Sequence, residues 1–108
     1  MNNKLEYKYC ICMEYNSHYT NTMARFEDLN KLNKVFNEKP PTNRYVGFDI
    51  GIIVKNDLES YNFSYCTVLS KKMNEDIIYV DFLDNIAGFG LDNDKVMNDV
   101  KLIYDVLS

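Results

Sequence analysis

The sequence predicts an α+β domain of order β-α-β-β-β-α, a single antiparallel sheet with two helices packed on one face. Three observations carry that reading. Residues 5–15 alternate apolar and polar at period two, residues 46–83 hold three apolar runs separated by short polar turns, and residues 92–107 repeat apolar side chains at helical spacing.

In the first run Leu5, Tyr7, Tyr9, Ile11, Met13 and Tyr15 fall on one face, with Glu6, Lys8, Cys10, Cys12 and Glu14 on the other. That is a strand pattern. The polar stretch 16–21 turns the chain, with Asn21 or Thr22 as the expected N-cap of a first helix. Phe26, Leu29, Leu32 and Phe36 form its apolar stripe, and Pro40-Pro41 stops it, because proline lacks the amide hydrogen and clashes with the preceding turn.

Val46, Phe48, Ile50, Ile52 and Val54 define a second strand whose other face carries Gly47, Asp49 and Gly51, small enough to let something lie close. A third strand over 61–70 alternates Tyr61, Phe63, Tyr65, Thr67 and Leu69 with smaller residues, and the apolar run 77–83 reads as a fourth. Short polar turns make these three a meander. Gly88-Phe89-Gly90 reads as a tight loop anchored by a buried Phe89. Asp92 or Asn93 then caps the last helix, where Val96, Val100, Ile103 and Leu107 recur at i, i+4, i+7 and i+11.

At 108 residues, 46% hydrophobic and 26% charged, the chain has the size and composition of a single globular domain spanning 1–108. Its apolar runs fall short of the ~20 residues of a membrane span, and 1–4 lead into a strand pattern rather than a signal-peptide core. The expectation is a cytoplasmic protein whose three cysteines are reduced thiols. Asn, Lys, Ile, Tyr and Phe together number 47 residues against 10 for Ala, Gly, Pro and Arg, a bias toward AT-rich codons that suits a low-GC bacterial genome or a phage.

Charge is unevenly spread. Residues 73–108 carry Glu75, Asp76, Asp81, Asp84, Asp92, Asp94, Asp99 and Asp105 against Lys95 and Lys101, a net −6, while 1–72 are net +2. Such a field argues against direct nucleic-acid binding and favours a cationic protein partner, with carboxylates standing where phosphates otherwise go.

Other candidate sites read more simply as structure. Cys10, Cys12, His18 and Cys66 suggest a Cys3His zinc site, but the Cys-x-Cys spacing suits small half-buried thiols better. Asp84, Asp92, Asp94 and Asp99 lack the ligand spacing of a calcium loop, since Val96 and Met97 occupy its fifth and sixth positions, and they read as capping and solvated acids. Gly88-Phe89-Gly90 has neither the length nor the Lys and Ser/Thr of a phosphate loop. His18, the only histidine, has no serine or cysteine beside it with an orienting acid, so no catalytic residue is assigned and no enzyme activity is expected. Of nine tyrosines, without a tryptophan, Tyr65 and Tyr79 are among those in predicted strands; on the sheet face left by the helices they suit a binding surface, since tyrosine joins a large rigid contact area to a polar tip, and high β propensity accounts for them equally well.

These observations lead to one expectation. The chain is a small acidic binding protein without cofactor or metal that neutralises a cationic partner through Asp84, Asp92, Asp94, Asp99, Tyr65 and Tyr79. An immunity protein inhibiting an antibacterial nuclease toxin fits first. A phage inhibitor of a host defence system of the anti-CRISPR kind uses the same acidic mimicry, and a small Cys/His metal-binding module is the third alternative.

Overall fold

The computed structural model describes residues 3–15, 20–38, 45–57, 62–72 and 74–108. Five antiparallel strands, β1 (Lys4–Tyr15), β2 (Thr20–Asp28), β3 (Tyr45–Asp57), β4 (Asn62–Lys72) and β5 (Ile78–Tyr79), form one sheet in the order β2-β1-β3-β4-β5. Helices α1 (Leu29–Glu38), α2 (Leu83–Ile86) and α3 (Asn93–Leu107) pack against it, with a 3₁₀ turn over Ala87–Phe89. The α+β class, the antiparallel sheet and the helices packed on it are as the sequence predicts.

The element order differs in two places. Residues 22–28, expected to open the first helix behind a cap at Asn21 or Thr22, belong instead to β2 (Thr20–Asp28), the edge partner of β1. Phe26 faces the core as expected, but from a strand, with Arg25 and Glu27 exposed on either side of it in sequence. Helical spacing from Phe26 to Leu29 and Leu32 arises because the strand runs directly into α1. Asp28 makes that conversion, its Oδ1 accepting from the Lys31 amide at 2.7 Å in the manner of an N-cap. Pro40-Pro41, His18 and Tyr61 lie outside the described residues.

The fourth apolar run is the second difference. It pairs with β4 only at Ile78 and Tyr79, supplemented by Val80 N donating to Val68 O at 3.0 Å. Phe82 then turns into the core and its carbonyl accepts from the Asn85 and Ile86 amides, starting α2 at Leu83. The segment expected to be a loop is thus helical, and Phe89 is 48% exposed instead of buried. Gly90, at φ 73°, ends the 3₁₀ turn in the left-handed region that a side chain disfavours.

One apolar cluster lies between sheet and helices, built from Tyr9, Ile11, Phe26, Leu32, Ile50, Ile52, Leu69, Ile86, Val96, Val100 and Ile103 among others. Each such side chain contributes about 2 kcal/mol relative to remaining in water. Tyr9 stacks on Phe26 with ring centroids 5.9 Å apart, which locks β1 to β2.

The helix-free face is covered by its own long side chains. A Cβ on Gly51 would run into the Tyr65 ring, so Tyr65 is what the small residues of β3 admit. Beside it Phe63 lies 6.0 Å from the Tyr65 ring and beneath the Arg25 guanidinium, 4.3 Å from the ring centroid. Cys10, paired in register with both Arg25 and Gly51, is fully buried on this face, as is Cys12.

Candidate functional site

Helix α3 and its cap hold four of the eight acids of residues 73–108, and the attachment of the helix to the sheet decides which of them reach solvent. Asp92 is the N-cap, as expected, its Oδ1 accepting from the Asp94 amide at 3.0 Å and the Lys95 amide at 3.3 Å. Its own amide donates to Tyr7 Oη at 3.0 Å, so the first turn of α3 is tied to β1.

One turn further in, Asp99 faces the core and is only 2% exposed. Glu6 N donates to both its oxygens, at 3.0 and 3.1 Å, Tyr7 N donates to Oδ2 at 3.1 Å, and Tyr9 Oη donates to Oδ2 at 2.8 Å. The register of β1 against β2 shifts between Lys4 and Tyr9, and Asp99 satisfies amides in that irregular stretch. Burial pushes the Tyr9 phenol far above its ordinary range, and the Asp99 charge adds to this, so Tyr9 remains a neutral donor. Asp99, expected on a solvated helix face, is a structural anchor and leaves the acidic surface.

The remaining acids of this region, Glu75, Asp76, Asp81, Asp84, Asp92, Asp94 and Asp105, are all exposed, with Lys95 and Lys101 the exposed cations. In residues 3–72 the described exposed charges run the other way: Lys4, Lys8, Arg25, Lys31, Lys34, Lys55 and Lys72 against Glu6 and Glu27. The folded surface is therefore polarised like the sequence. The exposed large apolar side chains among the described residues, Ile78, Tyr79, Leu83, Phe89 and Leu102, fall in the same acidic segment.

The two tyrosines expected to share a sheet face lie on opposite faces. Tyr79 pairs in register with core-facing Leu69 and stacks on Tyr104 of α3, centroids 4.9 Å apart and planes 12° from parallel. It is 47% exposed, and partial desolvation, followed by Tyr104 and Asp105, raises its phenol pKa. Tyr65 lies over Gly51 on the helix-free face. Of the six residues expected to bind a partner, Asp84, Asp92, Asp94 and Tyr79 belong to the continuous segment 78–107, Tyr65 is across the sheet, and Asp99 is inside.

The cysteines do not converge. Cys10 and Cys12 sit side by side with sulfurs 4.0 Å apart on one face, while Cys66 Sγ points to the Asn85 carbonyl of α2 on the other, 3.9 Å away. All three are free thiols. The contact with Cys12 and burial hold the Cys10 thiol far above its ordinary pKa, against the thiolate a metal needs. Among the described residues no group of three or more His, Cys, Asp or Glu side chains is placed to hold a metal ion.

One cluster escapes the sequence reading. On the helix-free face Glu14 of β1 and Asp49 of β3 share a hydrogen bond, Ser70 Oγ of β4 donates to Asp49 Oδ1 at 2.7 Å, and Lys72 Nζ pairs with Glu14 Oε2 at 3.1 Å. Burial, opposed by Ser70 and reinforced by Glu14, pushes the Asp49 carboxyl up to about 6. Burial also acts to raise Glu14, but the hydrogen bond with Asp49 and the Lys72 charge outweigh it and leave Glu14 below its ordinary value. Below about pH 6 the carboxyl pair holds one proton, and with Ser70 and Lys72 it links β1, β3 and β4. The alternation places Glu14 and Asp49 on polar faces, but only the β1–β3 register brings them together.

No known protein family, curated protein or solved structure matches this chain. Among the described residues no helix is long and apolar enough to cross a membrane.

Proposed function

We propose that this is a small cytoplasmic binding protein that neutralises a basic protein partner, as an immunity protein does for an antibacterial nuclease toxin. The observation that carries the reading is the composition of segment 75–105, where seven exposed acids alternate with five exposed large apolar side chains. Acids alone serve solubility; acids around apolar anchors serve an interface, with charge speeding encounter and apolar burial slowing release. β5 lies at the sheet edge, and the inner face of α3 is occupied by Val96, Asp99, Val100 and Ile103, which leaves Asp94, Leu102 and Asp105 on its exposed side.

The test is protection. The chain is co-expressed with the product of its adjacent gene, and growth is compared with a variant carrying Asp84→Lys, Asp92→Ser and Asp94→Lys. Serine at 92 removes the charge but keeps an N-cap, so the variant reads the surface rather than helix stability. Protection by the native chain and its loss in the variant is the expected result. Equal growth with and without the native chain would sink the immunity reading.

A further inference from the structure

We propose that Tyr79, Tyr104 and Asp105 form a receptor for an arginine side chain of the basic partner. The proposal rests on the binding reading above and names the group that anchors it.

Tyr79 stands at the sheet edge on β5, and its ring is held on Tyr104 by a near-parallel stack at 4.9 Å. It remains 47% exposed, so a broad aromatic surface is available in a fixed orientation. Asp105 follows Tyr104 on α3 and is exposed, and exposed Leu102 lies one turn before it on the same outward side. An aromatic face carries negative potential, and a planar guanidinium stacks on it while its N–H fork meets a carboxylate. A lysine ammonium is compact and strongly hydrated and cannot make both contacts at once. Lys101, four residues before Asp105, is the nearby cation on this outward side. An exposed pair at that spacing is weak enough for an incoming arginine to displace. Asp81, exposed and two residues after Tyr79, favours a cation further.

The full chain, labelled for NMR, is titrated with capped Gly-Arg-Gly peptide, its lysine counterpart and its neutral citrulline counterpart. Saturable shifts of the Tyr79 and Tyr104 ring signals are expected with the arginine peptide, weaker ones with lysine and none with citrulline. Tyr79→Leu and Asp105→Asn should each weaken arginine binding about three- to fivefold. Asp105 is exposed, so its variant keeps the fold and its amide spectrum verifies that. Equal response to citrulline, or arginine binding that ignores both variants, overturns the receptor. Shifts confined to Asp84, Asp92 and Asp94 also overturn it while leaving the acidic surface standing. Loss of protection by the full chain, by contrast, bears on the binding reading and not on this site.

Discussion

Tyr9 Oη donates to Asp99 Oδ2 at 2.8 Å, joining the middle of the first strand to the last helix across 90 residues of sequence. With the Glu6 and Tyr7 amides on the same carboxylate, this contact decides how α3 sits on the sheet. Every acidic side chain on the outer face of that helix inherits its position from it.

Asp99→Ala leaves a buried hydroxyl and two amides without their acceptor and is expected to cost about 3–5 kcal/mol, measured by urea unfolding. Tyr9→Phe keeps the stack on Phe26 and removes one donor, so it should cost about 1–2 kcal/mol. A loss below about 0.5 kcal/mol for Asp99→Ala would mean that the carboxylate does not hold the helix.

The Glu14–Asp49 pair predicts a pH dependence with a definite sign. Asp49 holds its proton more tightly folded, at about 6 against an ordinary 3.8. The stability linked to that proton is fully present below the unfolded value and is lost as pH rises through about 6. Glu14, lowered from 4.5, runs the other way: its contribution is present above 4.5 and is lost as pH falls through the lowered folded value. Unfolding free energy should therefore fall between about pH 4.5 and about pH 7, and Asp49→Asn should flatten that slope. An identical slope in the variant would remove the pair as its source.

Gly51→Ala places a methyl group where the Tyr65 ring lies. The expected cost is about 1–3 kcal/mol of overpacking, together with displacement of Tyr65. Because Gly51 pairs with Cys10, faster reaction of a thiol reagent with the native-state cysteines should accompany it. Unchanged thiol reactivity would show that Tyr65 does not shield them.

The strands β1, β3 and β4 and helix α3 are legible because each shows its period over nine residues or more. Asp92 was legible as a cap because its side chain bonds locally. β2 was not, since Phe26, Leu29 and Leu32 satisfy helical spacing across a strand-to-helix junction and Asp28 is the cap that marks it. The run 77–83 misled through composition: its apolar side chains are used by an edge bridge and a helical turn, and Phe82, not Phe89, supplies the buried aromatic. Asp99 could not be told from Asp94 by residue type. Its position three residues after Val96 and one before Val100 puts it on the buried stripe, which is the signal that distinguishes it.

Reversing Asp99 along with the surface acids would therefore read stability rather than association. Neutral or reversed charge at Asp84, Asp92 and Asp94 reads the surface alone, and it should slow association with a basic partner while flattening its salt dependence.

The most direct measurement is recovery of the partner from the native host by the full chain and by the Asp84→Lys, Asp92→Ser, Asp94→Lys variant, followed by association kinetics across a salt series with the partner identified. The expected partner is a basic protein whose association with the native chain slows steeply with salt and is at least about tenfold slower with the variant at low salt. A partner of any charge that binds both chains with the same rate and the same salt dependence would contradict it.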